Sequence, residues 1–114
     1  MKNLNNSSWA IEELSKANFG DKRLDNRFLK VASAQALKPQ SSINAANADW
    51  SSIKGAYRFF DNDKVTPEKI LEPHFENTAH RIYGQEFIIV AQDTSFIDFS
   101  SHKMTLGLGT ATAI

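Results

Sequence analysis

Between Asp21 and Pro39 the apolar residues Leu24, Phe28, Val31 and Ala32 recur at i, i+4, i+7 and i+8. That spacing puts all four on one face of a helix and makes a single apolar stripe. Asp21 stands just before the stripe, where an N-cap is wanted. Pro39 stands just after it, where a helix cannot continue. The pattern predicts a helix over about residues 22–37, and a chain that carries it must pack that stripe against something else.

The flanking segments supply candidates for the packing. Ser8 is a natural N-cap for a short helix with Glu12 and Glu13 near its positive end, ahead of a polar stretch at residues 1–8 expected to fray. Trp9, Leu14 and Ile11 are expected to face inward, and Phe19-Gly20 to close that helix. The polar SSINAANADW stretch reads as a connection with room for one helical turn. Trp50, Ile53, Tyr57 and Phe60 lie at i, i+3, i+7 and i+10, which predicts a helix from Asp49 or Trp50 to Phe60 with these aromatics in the core. Thr66-Pro67 opens a fourth helix, with Ile70, Leu71, Phe75 and Ile82 on its apolar face and a kink or break at Pro73. After Gly84 the period changes. Phe87-Ile88-Ile89-Val90-Ala91 is a continuous β-branched run, expected to be a strand buried on both faces, with Phe96–Phe99 as a partner strand. The expected fold is therefore mainly α. A helical domain spans residues 1–84, and residues 85–114 hold the first strands of something longer.

Composition narrows the class. The 114 residues suit one domain, and the absence of Cys excludes disulfides and thiolate zinc sites. No apolar run reaches the roughly 18–20 residues of a membrane span, and no signal peptide opens the chain, so a soluble, cytoplasmic protein without a membrane partner is expected. The net charge of zero is split. Residues 1–60 carry nine Lys+Arg and five Asp+Glu, a net of +4, and residues 61–114 carry four and eight, a net of −4. A basic first half suits a polyanion.

Three cations, Arg23, Arg27 and Lys30, occupy one arc of the 22–37 helix, away from its apolar stripe. They can meet successive phosphates, and an arginine can fork onto a guanine edge; a merely solvated face is the alternative. Lys54 and Arg58, at i and i+4 of the next helix, offer a second phosphate clamp or ordinary surface. Asp93 follows the apolar run directly. A carboxylate at the end of a buried strand suits a Mg²⁺ ligand, yet a two-metal site needs several acids, and Asp93 can instead simply start a turn. Asp98 is a possible companion. His74, His80 and His102 lack metal-type spacing, and Gly107-Leu108-Gly109 lacks the Lys-Ser/Thr of a phosphate loop.

Four segments, in order, resemble one family. Phe19-Gly20-Asp21-Lys22-Arg23-Leu24-Asp25-Asn26-Arg27 is similar to the "LGD.R...R" opening of the N-terminal domain of bacterial insertion-sequence transposases of the Asp-Asp-Glu type, whose type member is the transposase of transposon five. Gly55–Asn62 resembles that family's "GAYRF..N" helix. Val90–Ser95 resembles its "I.DTT" strand end, and Gly107-Leu108-Gly109 a motif that often follows. The resemblance implies a helical domain that binds double-stranded DNA at transposon terminal repeats, followed by the opening of a ribonuclease-H-like α/β domain. It places Arg23, Arg27 and Arg58 at DNA-facing positions and makes Asp93 the first catalytic, Mg²⁺-binding acid. The second Asp, the Glu and the Arg-containing motif that full-length relatives use with Mg²⁺ do not occur before Ile114. A truncated, non-catalytic transposase with no cofactor of its own is therefore expected, able to pair with itself or with an intact transposase. Alternatives are an inhibitor of transposition that occupies ends without cutting, and an inert protein-interaction fragment.

Overall fold

The computed structural model describes residues 8–108, and within them the only regular elements are five helices: α1 (Ser8–Leu14), α2 (Lys22–Leu37), α3 (Ile43–Ala46), α4 (Trp50–Phe60) and α5 (Pro67–Ile82). The expected fraying of the N-terminal polar stretch and the glycine-punctuated tail from Gly109 onward lie outside the described residues.

The element starts follow from local chemistry. Asp21, Ser42, Asp49 and Thr66 each hold an extended backbone, and each side chain accepts a hydrogen bond from an N–H of the first helical turn: Arg23 at 2.8 Å, Ala45 at 3.2 Å, Ser52 at 2.7 Å and Lys69 at 3.3 Å. Pro67 takes the first position of α5, where its missing N–H costs nothing. Residues 22–37 are helical as the periodicity predicts, and Phe28 and Val31 are buried.

The core is a cluster of three phenylalanines. Phe28 of α2 and Phe59 of α4 stack at 5.7 Å with 13° between their planes. Phe19, from the loop before α2, meets both edge-on at 5.3 Å. Such edge-to-face contacts are favoured by the ring quadrupoles. Ala17 completes the cluster, with Leu14, Leu24, Val65 and Ile70 packed around it. Phe19 thus pins α2 to α4, and the loop that carries it is fixed in turn. Asp25 Oδ1 accepts the Phe19 N–H at 2.9 Å, and Gly20 turns the chain at φ +79° into the Asp21 cap. Gly20 serves this loop and does not close α1, which ends six residues earlier, at Leu14.

Several inward faces differ from expectation. In α4 the buried residues are Ala56 and Phe59, while Trp50, Tyr57 and Phe60 are exposed. The buried face lies roughly 100° around the helix from the aromatic stripe. Ala56 and the Phe59 ring on the Phe28 stack make the inward contact instead. In α1, Ala10 is buried, whereas Trp9 and Ile11 are exposed. In α5, Ile70 reaches the core and Pro73 is buried, but Leu71, Phe75 and Ile82 face solvent. The helix continues through Pro73 without a break.

α5 is held to α1 by polar contacts. Arg81 donates from both terminal nitrogens to the Glu13 carboxylate at 2.7 and 2.8 Å, and His74 Nδ1 lies 2.7 Å from Glu13 Oε1. Asn77 Nδ2 donates to the Glu13 backbone carbonyl at 2.8 Å. The paired guanidinium first, and His74 second, hold the Glu13 carboxyl down at about 2 from an ordinary 4.5.

The expected strands are the main correction. Residues 87–99 form no strand, and Phe87, Ile89, Val90, Phe96 and Ile97 are exposed. A strand buried on both faces needs paired neighbours and covering helices, and no other described segment supplies them.

Candidate nucleic-acid interface

Two helices bring the predicted cations together. Asp21 sets the start of α2, so Arg23 and Arg27 project from its first two turns beside the stripe that buries Phe28. Asp49 sets the start of α4, so Lys54 and Arg58 project one turn apart from the side opposite its buried face. Because the Phe28–Phe59 stack ties the middle of α2 to the last turn of α4, the two helices lie side by side and the four cations line one groove of about 640 Å³. Asp21 and the exposed indole of Trp50 also line it. Lys30 lies about 10 Å farther along α2 from Arg23. It lines a neighbouring groove, which Arg27 shares. Four of the five predicted positions are thus assembled on one surface, and Arg27 stands at the junction with the fifth.

The charges differ in how they are held. Arg27 is partly buried, and its guanidinium lies across Gly55 of α4. Arg23, Lys54 and Arg58 are exposed, free to follow an approaching anion. The Asp49 carboxyl is held below its ordinary value, chiefly by the hydrogen bonds from Ser52 and, as a lesser cause, by the Arg27 charge. Within the FGDKRLDNR segment the acids are therefore architectural. Asp21 caps α2 and Asp25 anchors Phe19, which leaves Arg23 and Arg27 to face the groove.

Trp50 escaped the sequence reading because its spacing matched a core stripe. The available signal was its place one residue after a capping Asp, at the very start of the helix.

Residues 6–65 match the family model for transposase DNA-binding, a span of 60 of the 114 residues that contains both groove helices. The chain belongs to the transposase DNA-binding family. No curated protein and no solved structure matches it. The part matched in this transposase DNA-binding protein contains Arg23, Arg27, Lys30, Lys54 and Arg58, while α5 and Asp93 lie beyond it. The family match supports DNA as this domain's ligand class. No helix among the described residues is long and apolar enough to cross a membrane.

Asp93 sits apart from all of this. It is exposed, lies in the segment without regular structure, and accepts the N–H of the next residue, Thr94, at 2.8 Å, with no turn formed there. Among the described residues no three His, Cys, Asp or Glu side chains gather as metal donors. A lone, exposed carboxylate does not suit a pair of Mg²⁺ ions, which two-metal chemistry holds roughly 3.5–4 Å apart between shared acids.

Proposed function

We propose that this protein binds double-stranded DNA at the terminal repeats of a transposon of the transposon-five type, through the α2–α4 groove, without cutting it. The observation that carries the proposal is the convergence of Arg23, Arg27, Lys54 and Arg58 on one groove within the segment that matches transposase DNA-binding domains. Four cations held by two helices can track successive backbone phosphates, which supplies affinity and register. Arg27 is the candidate for reading a base edge, because a partly buried guanidinium is oriented before contact, whereas the exposed cations are suited to phosphates. Trp50 offers a planar face for a sugar or an unstacked base at the groove wall.

The lone carboxylate of Asp93 supports the reading that this chain binds without cleaving. Asp93 brings one carboxylate, and strand hydrolysis with two metals needs more. A chain that occupies transposon ends in this way would compete with an intact transposase, and so act as an inhibitor.

The test is a gel shift on a duplex carrying the terminal repeat and on a scrambled duplex, followed by incubation with Mg²⁺ or Mn²⁺. Tighter binding to the repeat, with both strands intact, is expected. Equal affinity for the two duplexes would remove the end-specific reading. Cleavage that disappears in Asp93→Ala would overturn the non-cutting reading and show that acids from another chain complete the site.

A further inference from the structure

Gly55 lies in the interior of α4, a position where glycine weakens a helix relative to alanine. Its φ is not positive, so backbone freedom does not explain it. Space does. A Cβ built on Gly55 would overlap Arg27 Cζ and stand 2.5 Å from Nη1 and 2.9 Å from Nε, and Arg27 alone supplies its three nearest neighbours. The guanidinium therefore lies on bare α4 backbone, in the space a side chain would take.

We propose that Gly55 is a positioning residue for DNA recognition: its missing side chain is the slot that holds the Arg27 guanidinium across α4, at the junction of the two grooves. The inference rests on the reading that the α2–α4 groove binds DNA. Without the slot, Arg27 would swing away from α4 like any long surface side chain. In the slot, its rotamers are restricted before DNA arrives, so less conformational entropy is lost on contact. Asp49 adds an electrostatic hold from the start of the same helix, since the Arg27 charge contributes to lowering its pKa.

The steric conflict is with the far end of one flexible side chain, which separates positioning from folding. Gly55→Ala should leave the helices in place, melt no lower than the wild type, and expel the guanidinium. Binding of a fluorescein-labelled mixed-sequence duplex, read by anisotropy at fixed salt, then resolves the four corners of a cycle: wild type, Gly55→Ala, Arg27→Ala and the double variant. Arg27→Ala is expected to weaken binding about tenfold. Gly55→Ala is expected to approach that loss alone and to add nothing in the Arg27→Ala background. Wild-type affinity in Gly55→Ala, beside a weakened Arg27→Ala, would overturn the slot and leave the groove standing. So would independent, multiplying losses, or a Gly55→Ala protein that melts lower. If Arg27→Ala, Arg23→Ala and Arg58→Ala all bind as the wild type does, the groove itself is wrong.

Discussion

Phe59 and Phe60 are adjacent and chemically identical, yet they do different work. Phe59 is 1% exposed at the centre of the three-ring cluster, whereas Phe60 is 49% exposed with its ring against the edge of Phe59. Phe59→Ala should cost about 3–5 kcal/mol, since it removes a buried ring and its contacts with Phe19, Phe28 and Phe60. That is a large share of the roughly 5–15 kcal/mol that holds a small domain together. Phe60→Ala should cost about 1 kcal/mol or less. Urea denaturation of the two variants checks this, and equal losses would contradict the placement of the core. Asp21 allows a second separation of roles. Asparagine caps helices as well as aspartate does, so Asp21→Asn should keep stability within about 0.5 kcal/mol. It also removes the carboxylate that lines the groove, so DNA binding should tighten. Weaker binding in a fully folded Asp21→Asn would argue against the groove.

At the scale of elements, the helix starts were legible and several inward faces were not. Asp21, Asp49 and Thr66 announce their helices because a cap is a local bond between a side chain and the next turn. The face a helix buries depends on which neighbour reaches it, and periodicity alone cannot report that. Hence the large residues of α4 marked the wrong face, while the working contact uses Ala56 and Phe59. On α5 the apolar spacing predicts the packing face, yet much of the docking rests on Glu13 with Arg81, His74 and Asn77, more than sixty positions away. This polar dock has a pH signature. The folded-state pKa of Glu13 is depressed, to about 2 from 4.5, so its stabilising contribution is complete above about pH 5 and is lost as pH falls through the folded value. Amide exchange on α5 should therefore rise relative to α2 between about pH 5 and pH 2. Glu13→Gln should show the looser α5 already at neutral pH. An α5 equally protected in both proteins would mean that Ile70 and Pro73 suffice to hold it.

Across the whole molecule, the basic first half coincides with the groove, and the acidic second half begins just after α4. The four-cation site was largely legible in the sequence because cations at helical spacing share a face whatever packs behind them. That α2 and α4 would present those faces to one groove was not, since it depends on the Phe28–Phe59 stack. The strands expected at residues 87–99 failed for a related reason. A β-branched run states a preference, but a buried strand exists only beside its neighbours. With Ile89 95% and Val90 77% exposed, amides from Phe87 to Phe99 should exchange far faster than those of α2, and strong protection in a monomer would contradict this account. The central claim is that the groove cations meet DNA phosphates. It is tested most directly by a salt titration of duplex affinity for the wild type, Arg58→Ala and Lys103→Ala, the last an exposed cation far along the chain. Three phosphates met by Arg23, Lys54 and Arg58, or four where Arg27 meets one as well, give a slope of log affinity against log salt of about −3 to −4. Arg58→Ala should flatten that slope by about one, and Lys103→Ala should leave it unchanged. A salt-independent affinity, or a slope that responds to Lys103 and not to Arg58, would contradict it.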